Sequence, residues 1–147
     1  MRDLLSNLQT VHLGNLALSG TTPATSSYVD LKGFNACDIV VVANTITDAG
    51  TASGFTVTLQ ESADTAAASA GSVVAADTPD GTVTLTETSD TADNTVIGGM
   101  GYVGGERYVG VSAVGTTGTD ADISVFAVLG KPHRAPTTFV GTAVART

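Results

Sequence analysis

Residues 98–114 read GGMGYVGGERYVGVSAV, and the fold turns on how this stretch is taken. Gly98, Gly99, Gly101, Gly104 and Gly105 permit backbone angles closed to other residues, whereas Tyr108, Val109, Val111 and Val114 suit a pleated sheet. The stretch is therefore expected to be a glycine-hinged loop that ends at Glu106 and feeds a core strand. Gly99 to Gly104 also spells G-x-G-x-x-G. That string holds a dinucleotide when it follows a strand and opens a helix, because the helix then aims its first N–H groups at pyrophosphate. Here strand-forming residues follow it and no βαβ pattern surrounds it, so it is assigned to a mobile or tightly turned loop.

On the C-terminal side, the strand stops at Gly115-Thr116-Thr117-Gly118. Ile123–Leu129 is expected to return beside it as a hairpin, with Ile123, Val125, Ala127 and Leu129 on one face and Phe126 and Val128 on the other. On the N-terminal side, Ala36–Ile46 is also apolar on both faces. Cys37, Ile39, Val41 and Ala43 alternate with Val40 and Val42, the pattern of a central strand, and Cys37 is expected in the core.

Phe55, Val57 and Leu59 alternate with Thr56, Thr58 and Gln60 as a half-buried strand, and Val83, Leu85 and Glu87 alternate with threonines. Val11–Ala17 reads as a first strand, broken or bulged near Gly14-Asn15. Tyr28–Leu31 and Ser72–Ala76 read as short strands, Ala63–Gly71 as a helical turn or surface loop, and Thr78-Pro79-Asp80-Gly81 as a turn. Such a series of short strands, without a long helix, predicts an all-β fold: an antiparallel β-sandwich or jelly-roll-like barrel. The body is expected over 11–130, with an N-terminal arm or short helix over 1–10. A C-terminal arm is expected over 131–147, where Pro132 and Pro136 oppose regular pairing.

The totals agree with one domain. A chain of 147 residues buries roughly 68–70% of its unfolded surface. Charged residues make up only 14%, and 24 threonines and 17 glycines fill their place. A net charge of −8 argues against a nucleic-acid groove, where Lys and Arg neutralise phosphates. The charge is uneven: residues 1–130 hold every acidic residue against Arg2, Lys32 and Arg107, a balance of −11, while residues 131–147 hold Lys131, Arg134 and Arg146 and no acid, +3. A single cysteine forbids an intramolecular disulfide and fits assembly in a reducing cytoplasm. Asp3, Asn7, Gln9, His12 and Asn15 interrupt the opening leucines, so no signal peptide or membrane contact is expected.

Catalytic patterns are missing. His12 and His133 have no i, i+4 partner or Cys/His cluster, and neither the Asp90/Asp93 nor the Asp120/Asp122 pair has EF-hand spacing, so these acids read as solvated loop residues. There is no G-x-S-x-G elbow, and without tryptophan a sugar platform would rest on three tyrosines and four phenylalanines. No enzymatic activity, metal or cofactor is expected. Arg107 beside Tyr108 reads either as a strand-end salt bridge to a loop acid or as a subunit contact. Leu4, Leu5 and Leu8 share one side of a short helix if one forms, and need an apolar partner on the domain or on a neighbour.

The runs YVDLKGFNACDIVVV (28–42), FTVTLQES (55–62), GYVGGERYVGVSAV (101–114) and ISVFAVLGKPHRAP (123–136) together resemble the small head proteins of tailed bacteriophages, of the capsid decoration or cement type. The resemblance implies a β-rich, often trimeric subunit on the outside of a shell of major capsid protein, reinforcing it against internal DNA pressure. It implies a non-enzymatic virion protein, assembled in the host cytoplasm, whose partners are the major capsid protein and further copies of itself. The expected contact residues are Arg2, Leu4, Leu5 and Leu8 at the N-terminus, Arg107 and Tyr108 in the body, and Lys131, His133, Arg134, Phe139, Val140 and Arg146 in the tail. A tail or neck subunit and a carbohydrate-binding β-sandwich module are the competing readings.

Overall fold

Alternation of apolar and polar residues with a period of two sets the long strands, and a computed structural model describes Leu4, residues 6–65 and residues 68–133. The strands are β1 (Leu8–Ser19), β2 (Ala24–Thr25), β3 (Val29–Asp30), β4 (Phe34–Asp48), β5 (Phe55–Ser62), β6 (Gly71–Ser72), β7 (Thr84–Glu87), β8 (Thr95–Tyr102), β9 (Tyr108–Val114) and β10 (Asp120–Pro132). One sheet runs β1-β10-β4-β8; the other is built on β9 and β5, with β2 and β3 along the far side of β9 and β6 and β7 along the far side of β5. Every pairing is antiparallel. The chain crosses from one sheet to the other at every connection except β2–β3, β5–β6 and β6–β7, which makes the sandwich a jelly roll. Ile39, Val41, Phe55, Val57, Leu59, Val109, Val111, Ile123 and Val125 fill the space between the sheets and are fully buried.

Three expectations change. Gly98, Gly99 and Gly101 lie inside β8, and only residues 103–107 form a loop. Packing overrides glycine's weak strand propensity: a Cβ on Gly101 would lie 2.9 Å from the Pro79 ring, and one on Gly104 would lie 2.5 Å from the Tyr102 hydroxyl. Each glycine marks a close approach, and the strand after the string is β9, with no helix for a phosphate. Second, β9 and β10 are not a hairpin. They belong to opposite sheets, so that Val109, Val111 and Ala113 face Ile123, Val125 and Ala127 across the core instead of pairing beside them. The crossing is held by Thr119, buried, whose hydroxyl donates to the Ala49 carbonyl (3.0 Å) and accepts the Thr116 N–H (2.8 Å). Third, the expected strand over Ser72–Ala76 is the pair Gly71–Ser72 followed by a 3-10 turn at Ala75–Asp77.

The ends of the body also shift. A turn closed by the Asn7 N–H on the Leu4 carbonyl (3.0 Å) leads into β1, which begins at Leu8 and not Val11. The register of β1 slips between His12 and Gly14, at φ +130° for Gly14, so Leu13 and then Leu16 and Leu18 all turn inward. At the other end β10 runs on to Pro132, opposite Phe34. Proline is tolerated there because β1 has already ended its pairing at Gly130, leaving that side of Pro132 without a ladder to donate to.

Candidate interaction surface

One end of the sandwich gathers those of the expected contact residues that are described. β1 and β4 begin there, β8 and β10 end there, and β9 starts there. Leu8 reaches over Gly130, while Leu4 is 71% exposed. His133 is clamped to the β3–β4 turn: its N–H donates to the Gly33 carbonyl (2.8 Å) and its ring bonds Asn35 (2.9 Å). Lys131, at φ +50°, is exposed beside it. Arg107 is bidentate on Asp30 (2.8 and 2.6 Å) and lies 5.0 Å from the Tyr108 ring centre. The Arg107 guanidinium, through its hydrogen bonds, holds the Asp30 carboxyl below its usual value. Tyr108 itself is buried, so of this pair only the ion pair meets solvent. Arg2, Leu5, Arg134, Phe139, Val140 and Arg146 lie outside the described residues.

Two clefts open at this end and share Phe34. The first, about 290 Å³, is lined by Leu31, Phe34, Cys37, Tyr102 and Glu106; the second, about 420 Å³, by Gln9, Val11, Tyr28, Lys32, Phe34 and Leu129. In the first, the Tyr102 hydroxyl donates to Glu61 (2.5 Å) and accepts the Glu106 N–H (2.9 Å). Burial, then the Glu61 hydrogen bond, raises the Tyr102 phenol above its ordinary range. Burial and then the Asp38 charge push the Cys37 thiol up to about 12. Both groups stay protonated at neutral pH, and neither offers a nucleophile there.

Acids lie at both ends, with Asp30, Asp38, Glu61 and Glu106 at this one, but the described bases lie only here. The described basic residues Lys32, Arg107 and Lys131 all sit at this end, whereas Asp48, Glu87, Asp90, Asp93 and Asp120 crowd the other, with Asp48 directly opposite Asp120. Asp90 and Asp93 are not merely solvated: they accept the Ala49 N–H (2.8 Å) and the Ile46 N–H (2.6 Å), fastening their loop to the irregular end of β4. Among the described residues no group of three or more His, Cys, Asp or Glu side chains is placed to hold a metal ion. No helix among them is long and apolar enough to cross a membrane.

The outer faces of the two sheets differ in kind. The β5-β9 sheet turns Thr56, Thr58, Gln60, Thr84, Thr86 and Ser112 outward, a face made for water. The β10-β4 sheet turns Val40, Val42, Phe126 and Val128 outward from adjacent strands, with Val96 of β8, 65% exposed, beside them. The two-sided apolar pattern of β4 and β10 correctly makes them central strands. Its second face, however, is a surface, because the sandwich has only two layers and no described element covers this side. Polar groups on the same face satisfy one another. Ser124 donates to Asn15 (2.7 Å) and accepts the Asn44 amide (2.8 Å), His12 bonds Asn15 (3.1 Å), and the His12 ring lies 4.9 Å from that of Phe126. The sequence signal for this face is present in Val40, Val42, Phe126 and Val128, but it reads as burial within the monomer.

No protein-family model matches the chain, and no curated protein matches it in sequence. In fold it is similar to the PBSX exported protein XepA, known from a crystal structure, with a TM-score of 0.54 and 12% identity. The likeness covers 94% of this chain and 42% of that one, so this chain spans less than half of the neighbour's length.

Proposed function

We propose that the protein is a non-enzymatic structural subunit of a phage virion and, within the virion, a decoration or cement protein on the outside of the capsid shell. The observation that carries the reading is the jelly roll with one outer face left apolar, Val40, Val42, Phe126 and Val128, where a protein working alone in water would carry threonines like those opposite. The fold likeness to the phage PBSX exported protein XepA supports the phage assignment. Its partners are the major capsid protein and copies of itself. Lys32 and Lys131, with the Arg134 and Arg146 that follow in sequence, suit an acidic docking surface.

The test is co-sedimentation with capsids that lack the protein. Because residues 131–133 complete β10 and its clamp, the informative truncation removes residues 134–147. It is expected to leave the body folded and reduce capsid retention; undiminished retention removes the tail from the contact, and failure of the intact protein to sediment with capsids overturns the capsid reading. The neighbour's name speaks of export and not of a head, so a tail or neck subunit is the second reading. Ring formation in electron micrographs distinguishes it.

A further inference from the structure

We infer that the valine-bearing outer face of the β1-β10-β4-β8 sheet is where two copies of this chain meet. The inference rests on the self-association contained in the reading above and assigns it a surface. Three observations select a second copy over another partner. The first is charge: each copy carries −8, so copies repel unless they meet where charge is sparse. No charge lies among Val40, Val42, Val96 and Phe126; the carboxylates of this face, Asp38 opposite Val128 and Asp122 opposite Thr45, flank them. A partner attracted by the acidic body would dock elsewhere, on the Asp48–Asp120 end.

The second observation is composition. Interfaces between like subunits resemble a domain core cut in half, more apolar than contacts between proteins that also live apart. A patch of Val40, Val42, Val96, Phe126 and Val128 has that character. The polar side chains beside it, Asn15, Asn44, Ser124 and His12, are bonded to one another. A partner covering Val40, Val42, Val96 and Phe126 therefore meets polar neighbours already bonded to one another, with the Asp38 and Asp122 carboxylates left at the rim. The third is area. Four strands about 4.8 Å apart, taken over roughly nine residues of about 3.3 Å rise, make a patch on the order of 550 Å² per copy. Two such patches come close to the ~1,200 Å² at which stable interfaces begin.

The experiment is sedimentation equilibrium of the full chain over a range of concentrations, with Val42→Asp and Phe126→Asp compared with Thr86→Asp on the threonine face. The wild type is expected to associate, the two valine-face variants to associate ~100-fold more weakly, a shift typical of a charge forced into an apolar contact, and Thr86→Asp to match the wild type. Circular dichroism and thermal melting establish that each variant is folded. Should Phe126→Asp unfold, Val96→Asp, whose side chain is already largely exposed, gives the same test. A wild type that is monomeric at every concentration, or valine-face variants that associate as the wild type does, overturns the inference. Capsid retention is measured separately, so a retained monomer refutes this interface and leaves the capsid reading standing, whereas an unretained oligomer does the reverse.

Discussion

Gly104→Ala tests whether the glycine string is there for packing. In the loop between β8 and β9, a Cβ on Gly104 would lie 2.5 Å from the Tyr102 hydroxyl and 2.6 and 2.7 Å from two atoms of its ring. Tyr102 is no flexible end that swings aside: it is 3% exposed, and its hydroxyl joins Glu61 to the Glu106 N–H. Either the ring or the loop must move by about 1 Å to reach ordinary contact, which costs about 1–3 kcal/mol as overpacking. The movement also strains two hydrogen bonds worth about 1 kcal/mol each. The sum is about 2–4 kcal/mol, or a melting temperature lower by roughly 5–15 °C for a domain of this size. The control is one residue away: a methyl added to Gly105 would meet nothing within 4 Å, and the backbone there is not left-handed, so Gly105→Ala should be neutral or slightly stabilising. Urea unfolding of both variants measures the difference. Equal stabilities would refute the packing argument, and so would a Gly104→Ala cost that persists undiminished when Tyr102 is itself replaced by Ala, since the clash partner is then gone.

Other outcomes follow from single contacts. Ser26, buried between β2 and β3, accepts the buried Val111 N–H (2.9 Å), so Ser26→Ala should cost about 1–3 kcal/mol in urea unfolding, and Ser26→Thr less. Cys37, with its thiol pushed up to about 12, should resist a thiol-specific reagent at pH 8 until denaturant opens the core. Asp30 is held below its usual value by Arg107, so the stability it lends is present above the ordinary aspartate value of 3.8 and is lost as pH falls through and below it. Asp30→Asn should therefore lower the melting temperature slightly at neutral pH, and the difference should vanish in acid and shrink in high salt, as both partners are well exposed.

The strands legible in the sequence are those whose alternation survives in the structure: Cys37, Ile39, Val41 and Ala43 on β4, Phe55, Val57 and Leu59 on β5, and Ile123 to Leu129 on β10 all turn their expected face to the core. Their period of two is local and needs no neighbour to be recognised. What is not legible depends on partners distant in the chain. Gly98–Gly101 joins a strand because β4, some sixty residues earlier, offers its ladder and because Pro79 needs the room above Gly101. The β9–β10 connection reads as a hairpin from its turn residues, yet the buried Thr119 sends β10 to the other sheet. Arg107 is an intermediate case: the expected salt bridge forms, but with Arg107 in the loop before β9 and its acid, Asp30, on strand β3. The valine face is visible as a pattern but not as a surface, because a two-sided apolar strand looks the same whether a third layer or a second molecule covers it.

The last described strand, β10, lies in the middle of its sheet, between β1 and β4. β1 thus has no sheet neighbour on that side until the ribosome has passed Pro132, more than a hundred residues after Leu8 was made. Contacts of such long sequence separation close late and slowly. Phe126 and Val128 of the apolar patch arrive with the same strand. The apolar outer face is therefore completed in the same step that completes the sheet: a chain that still lacks β10 has Val40 and Val42 but neither Phe126 nor Val128 beside them.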